Sequence, residues 1–359
     1  MFEITLYLLF IIVQAVIFYK APVNKRINLS FACFIFFQLF IIAGFRHPDI
    51  LNDTQAYIDN FNAIDTSKSF WYLEGRFEPA FQFFMKFISY YISKNPLALL
   101  IISSFITQGL IVLFLYKNSS LLWLSFFLYI TFRLFFFSTS GLRQGLAVAI
   151  CLFAYQYLKG NKAIYFFLLV IVATLFHYSA MIFIFLYFVK RLDINVKTFL
   201  ITGLAVSVLL VFISLLADMF FTSFTYGKDY YDRGIELDSN LGTMLITANM
   251  LIVFSFVYYF WYRNLNEVSN EDRILIWSVF IAVIILIISI KFGILLRFTY
   301  YFTPFSLILL PKAICAINDR IVKSLSLRFW VVFSAVQFLI ILYYRPEWYN
   351  FYPYKFYWE

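Results

Sequence analysis

Residues 163–189 read AIYFFLLVIVATLFHYSAMIFIFLYFV, 27 positions without an Asp, Glu, Lys or Arg. A membrane-spanning helix needs about 20 consecutive apolar residues, so lipid rather than water is the natural solvent for this run. Comparable stretches flank it at 4–19, 28–45, 97–116, 121–138, 142–158, 198–217, 243–262, 274–290, 296–317 and 327–344. A shorter one, 79–93, carries Lys86 in its middle. Of the 359 residues 63% are hydrophobic and 13% charged, against about 25% charged in a soluble domain. Too few polar side chains remain to coat a globule of this size. A disordered chain, a collagen-like fibre and a disulfide scaffold are excluded by the same composition. The chain reads as an all-α polytopic integral membrane protein, one domain over 1–359. The arithmetic allows about 10–13 transmembrane helices, short and broken ones included.

The cuts between stretches divide by charge. Those at 20–26, 159–162, 190–197, 263–273 and 312–328 are basic, while the long loops 46–78 and 218–242 are comparatively acidic. The positive-inside rule puts the basic cuts in the cytoplasm and both long loops outside, which also accounts for the net charge of +9. If Lys117 and the 159–162 cut share the cytoplasmic side, residues 138–143 lie outside. The run 163–189 must then rise and return as two half-spans meeting near His177. Segment 79–93 would lie along the outer interface or re-enter. A regular twelve-span ladder competes with this arrangement and would put Arg143 inside.

Several classes drop out. The first stretch lacks a basic flank and a small-residue cleavage site, so it reads as a retained span. The cysteines, Cys33, Cys151 and Cys315, are odd in number and lack CxxC spacing, which argues against disulfides and zinc. Basic runs are too short for nucleic acid; the lipid bilayer, anionic headgroups and pyrophosphate suit the charge better. No cofactor is indicated, and two histidines without a DxD triplet point to metal-free chemistry.

Ionisable residues outside the basic cuts are costly in a bilayer and ask for a reason. They fall in Gly44-Phe45-Arg46-His47-Pro48, Asn52-Asp53-Thr54-Gln55-Ala56-Tyr57, Glu78-Pro79, Ser138 to Gln144 with Gly141-Leu142-Arg143, and Phe176-His177-Tyr178-Ser179-Ala180. Arg297, opening Arg297-Phe298-Thr299-Tyr300-Tyr301, is a sixth. Each has a bland reading. Arg46 can snorkel, Asp53 can cap a helix over 54–61, and Glu78 before Pro79 can start one. Gly141, Gly145 and Ala149 form a packing seam, Arg143 can sit in a structural salt bridge, and His177 can be a bonded core histidine. Taken together, the outer placement brings Arg46, Asp53, Glu78, Arg143, His177 and Arg297 to one cavity. Guanidinium forks suit pyrophosphate oxygens, and a carboxylate or imidazole suits deprotonation of a sugar hydroxyl.

These pieces, in this order, resemble the EpsG/Wzy-type polysaccharide (O-antigen) polymerases. The match is carried by Gly44-Phe45-Arg46, Asp53-Thr54 with Tyr57, Glu78-Pro79, Leu142-Arg143-Gln144 with Ala147, and Phe176-His177 with Ser179-Ala180. It covers about residues 40–185, with Arg297-Phe298 and Tyr300-Tyr301 as a weaker echo; Asn52 stands where the family tends to carry Gly. The resemblance implies a GT-C-like glycosyltransferase of the bacterial inner membrane, active at its periplasmic face. It would join undecaprenyl-pyrophosphate-linked repeat units, with a chain-length regulator as partner. Arg143 and Arg297 would then hold the donor pyrophosphate, with Arg46 and Gln144 assisting. His177 is the first expectation for the base and Asp53 or Glu78 the alternatives, supported by Tyr57, Thr54 and Ser179. Trp71, Tyr72 and the Trp348-Tyr349 pair are candidates for stacking on sugar rings. A lipid-linked oligosaccharide flippase, an O-antigen ligase and a membrane acyltransferase are the rival readings.

Overall fold

The computed structural model describes residues 10, 14, 25–73, 77–223, 240–262, 268–344, 350–351 and 353–359. Most of the first stretch at 4–19, loop residues 224–239 and the Trp348-Tyr349 pair lie outside the described residues. The described chain is helical without strands. Among the described residues, five helices are long and apolar enough to cross a membrane, or up to six if one bent pair is a single span, and three more are shorter and apolar. The chain is an all-α polytopic membrane protein, and it divides into two compact units, 1–181 with 325–359, and 182–324.

The first unit contains α1 (Lys25–Gly44), α2 (Thr54–Asn62), α3 (Pro79–Tyr91) and α4 (Leu97–Asn118). It continues with α5 (Leu122–Thr131), α6 (Leu134–Ser140), α7 (Leu142–Lys159) and α8 (Ala163–Phe176). The end of α1 meets the start of α4, where a Cβ on Gly44 would lie 3.4 Å from the Cα of Ile101. The two helices are therefore antiparallel. Leu99 and Leu100 at the start of α4 share a core cluster with Leu142 and Leu146 at the start of α7. At the far ends Lys117 Nζ donates to Gln156 Oε1 at 3.2 Å and Lys159 Nζ to Asn118 Oδ1 at 3.1 Å. So α4 and α7 run parallel, and α5–α6 carry the chain back between them.

That return is not a straight span. The stretch 121–138 reads as one apolar run, but the chain bends by 62° between α5 and α6. Arg133 sits at the bend with φ of 62°, a left-handed conformation that costs a non-glycine residue about 1 kcal/mol or more. A buried polar node braces the corner: Tyr129 Oη bonds Ser138 Oγ at 2.7 Å and donates to Gln108 Oε1 at 3.0 Å. In an apolar medium such groups must find one another.

Two further breaks matter. Gly141 joins α6 to α7, and on the next turn Gly145 touches the backbone of Ser138 so closely that a Cβ would lie 2.3 Å from its carbonyl oxygen. The packing seam expected from Gly141, Gly145 and Ala149 is thus real at Gly145, whereas Gly141 precedes the helix. The 27-residue run breaks at His177, whose φ of −158° and ψ of 119° are extended. A 3-10 turn (Tyr178–Ile184) and α9 (Phe185–Val189) follow. Arg143 and His177 thereby lie at the opposite helix ends from Lys117 and Lys159; for Arg143 both topologies share that separation, whereas the break at His177 fits two half-spans rather than one continuous span.

The second unit contains α10 (Val196–Ser223), α11 (Asn240–Phe260), α12 (Asn270–Ser289), α13 (Leu296–Thr299), α14 (Ser306–Cys315) and the start of α15 (Arg320–Tyr344). Its centre is α12, held at its start by a reciprocal cap between Ser269 and Asp272. Asp272 also takes Lys312 Nζ at 2.6 Å. Phe199, Phe254, Trp277 and Phe280 interlock above that point. The apolar stretch 296–317 is divided here into α13, a 3-10 turn through Pro304, and α14.

Gly145 gives the sharpest test of this packing. A Gly145→Ala variant must displace backbone, which predicts a loss of about 2 kcal/mol in thermal unfolding in micelles. Gly109→Ala, whose nearest atom is Phe36 Cε2 at 3.6 Å, should leave stability unchanged.

Candidate functional site

Proline at position 79 decides where Glu78 points. The ring disfavours a helical residue before it, and Glu78 is extended, with φ of −63° and ψ of 150°. Its carboxylate makes no cap on α3 and crosses instead to the two helix ends nearby. Oε2 accepts from Arg143 Nη1 at 2.5 Å, and Oε1 bonds His177 Nδ1 at 2.7 Å. The Glu78 side chain is only 5% exposed, against 22% for Arg143 and 15% for His177. A carboxylate this enclosed persists as an anion only because both partners face it. Burial pushes the Glu78 carboxyl up, but the bond from His177 and the charge of Arg143 outweigh that and hold it below its ordinary value.

The floor of the cluster is aromatic. The Arg143 guanidinium lies 4.4 Å from the centroid of Phe77. Tyr57, Phe77 and Phe81 pack their rings together, each pair at 5.6 Å. The buried Tyr57 phenol is pushed up by desolvation and pulled down by the Arg143 charge. Arg46 lies within electrostatic reach of the same Tyr57, so two guanidiniums act on this phenol.

Arg46 does not snorkel. It is fully buried, donating Nε to Thr54 Oγ1 at 3.0 Å and Nη1 to the Ala43 carbonyl. Thr54 in turn donates to the Ile50 carbonyl at 2.6 Å. Over Arg46 lies the C-terminal tail: Phe356 pairs with it in an isolated antiparallel bridge. His47 N donates to the Lys355 carbonyl at 2.9 Å and Tyr357 N to the Phe45 carbonyl at 2.8 Å. Tyr354 Oη reaches the Ile42 carbonyl at 2.7 Å. Burial lowers the Arg46 guanidinium to about 10, which leaves it cationic at neutral pH. Arg46 Nη2 and Arg143 Nε are both buried without a hydrogen-bond partner, and orphaned donors in a native fold call for an explanation.

The remaining sequence candidates are placed as follows. Asp53 precedes α2 but is exposed and makes no capping bond. Gln144 is buried beside Arg143, and Ser179 is half-buried two residues after His177. Arg297 stands exposed on α13 in the second unit. Trp71 and Tyr72 are exposed, at 75% and 51%, on a loop whose carbonyls at Ser69, Phe70 and Tyr72 are gathered by the buried Lys86 ammonium. Sequence reasoning missed Phe77 and the tail residues Tyr354 and Phe356, which carry no signal among so many aromatics. Among the described residues there is no group of three or more His, Cys, Asp or Glu suited to a metal ion.

A family model described as the EpsG family matches residues 29–356, nearly the whole chain. No curated protein and no solved structure matches.

The anion at position 78 has a measurable signature. Glu78→Gln leaves the Arg143 cation facing a neutral amide, a change expected to cost about 3 kcal/mol. Because the folded state lowers this carboxyl, its contribution is complete above the ordinary value of 4.5 and fades as pH falls through the lowered one. The gap in Tm between wild type and Glu78→Gln should therefore narrow below about pH 4.5. A gap that does not change with acidification would contradict the ionised carboxylate.

Proposed function

The chain belongs to the EpsG family of Wzy-type polysaccharide polymerases, and from that premise we propose that Glu78, Arg143 and His177 form its transfer centre. The reading is that it joins oligosaccharide repeat units carried on undecaprenyl pyrophosphate, the O-antigen type included, at the periplasmic face of the bacterial inner membrane. One observation carries it: a single buried carboxylate holds both an arginine and a histidine drawn from different helices.

Each group has a distinct task. An ionised carboxylate only accepts hydrogen bonds, so His177 donates Nδ1–H to Glu78 and leaves Nε2 as the unprotonated nitrogen. Nε2 takes the proton from the acceptor sugar's hydroxyl as its oxygen attacks the donor's anomeric carbon. The bond from that carbon to the pyrophosphate oxygen breaks, and the electron pair leaves with undecaprenyl pyrophosphate. Glu78 orients the imidazole and balances the imidazolium that forms, which makes it a positioning residue rather than the base. The partly exposed Arg143 guanidinium is suited to the pyrophosphate oxygens, while Arg46, which is fully buried, contributes its charge. The orientation is supported by charge: Lys25, Arg26, Lys117, Lys159 and Lys162 sit at the helix ends remote from the cluster, as cytoplasmic residues would.

The test is lipopolysaccharide display in a strain whose only polymerase is the variant. Arg143→Ala and His177→Ala, with expression verified in membranes, should lose at least 100-fold of chain extension and leave lipid A-core capped by single units. A normal ladder from either variant removes the assignment. Core devoid of any O-unit would instead identify a ligase.

A further inference from the structure

Far from Glu78, a cleft of about 280 Å³ opens between the C-terminal ends of α4 and α7. Its deep walls are apolar, with Leu110 and Phe153 among them, and its mouth carries Lys117, Asn118, Gln156 and Lys159. The two lysines are held from opposite sides: Lys117 by the Gln156 amide and Lys159 by the Asn118 amide. No acidic residue lines the cleft, and the sequence has none at all between Glu78 and Asp193. Arg143 and Lys159 stand on the same helix, 16 residues apart, which is about 24 Å along its axis. The cleft thus lies toward the other side of the hydrocarbon layer, which is about 30 Å thick.

Charge fixes what would fit. Two ammonium groups contribute two positive charges, while the ends of two parallel helices each present about half a negative charge. About one positive charge remains. A singly charged phosphodiester neutralises it, whereas a pyrophosphate would overshoot. The apolar walls below the mouth extend the length from Leu110 to Lys117, about 10 Å of helix, and offer a path for an acyl chain. We infer that this cleft binds the phosphate of an anionic glycerophospholipid, with its acyl chain lying between α4 and α7. The bound lipid fastens the two helices at the end remote from the transfer centre. The inference does not depend on what that centre does.

The probe is phosphatidylglycerol, compared with phosphatidylcholine of the same acyl chains, scored by native mass spectrometry of the full chain released from nanodiscs. Wild type should retain phosphatidylglycerol at least tenfold better than phosphatidylcholine. Lys117→Gln combined with Lys159→Gln should abolish that preference. Gln156→Glu, which neutralises Lys117 without removing it, should weaken it and guards against misfolding of the double variant. His177→Ala should bind as wild type does, which separates this site from the proposed function. Excess inorganic phosphate should not displace the lipid. Equal retention of the two lipids by wild type, an unchanged preference in both lysine and Gln156 variants, displacement by free phosphate, or tenfold better retention of a polyprenyl phosphate would each overturn the inference.

Discussion

A buried carboxylate that must be neutralised organises this protein. Glu78 sits where water scarcely reaches, and its negative charge is tenable only with Arg143 and His177 both against it. The benefit is mutual, because the Arg143 charge and the His177 N–H both find their acceptor in the same carboxylate. With no acid between Glu78 and Asp193, the choice of partner is forced. The chain breaks where α7 begins and where α8 ends, and both breaks serve that need. Arg143 has to stand in the first turn after Gly141, and His177 has to end its helix in an extended conformation, for both to reach one oxygen pair.

Much of this was legible in the residues, because lipid makes charge rare and therefore informative. His177 stood out as the one histidine in a 27-residue run without Asp, Glu, Lys or Arg, and the run does break there. Topological reasoning from the basic cuts also separated Arg143 from Lys117 and Lys159, as the helix packing does. What could not be read was non-local. Nothing near Glu78 states that its partners are 65 and 99 positions away. The bend at Arg133 carries no turn residue to announce it, since a left-handed arginine is imposed by packing around Tyr129 rather than by its own preference. Arg46 was legible as a charge but not as a fully buried one, because its cover is a distant aromatic segment.

The described arrangement also sorts the arginines by kind. Arg143 is paired with a carboxylate and stacked on Phe77, so its position is set by charge and ring together. Arg46 is held by a hydroxyl and a carbonyl, neutral acceptors that leave its charge uncompensated by any acid in the contacts described. Tyr57 connects the two electrostatically. A negative charge nearby would complete the neutralisation of Arg46, which is why the proposed function pairs it with Arg143.

The segment lying across Arg46 brings a consequence for biogenesis. Tyr354 bonds a carbonyl 312 positions earlier, and its neighbours pair with residues 45–51. At a ribosomal pace of about 5–20 residues per second, that separation corresponds to roughly 15–60 s of elongation. Until then the loop that carries Arg46 has been inserted but lacks its cover. Every described span between these two segments is therefore synthesised before the cover over Arg46 can form, and that corner is completed only when Tyr354 and its neighbours fold back.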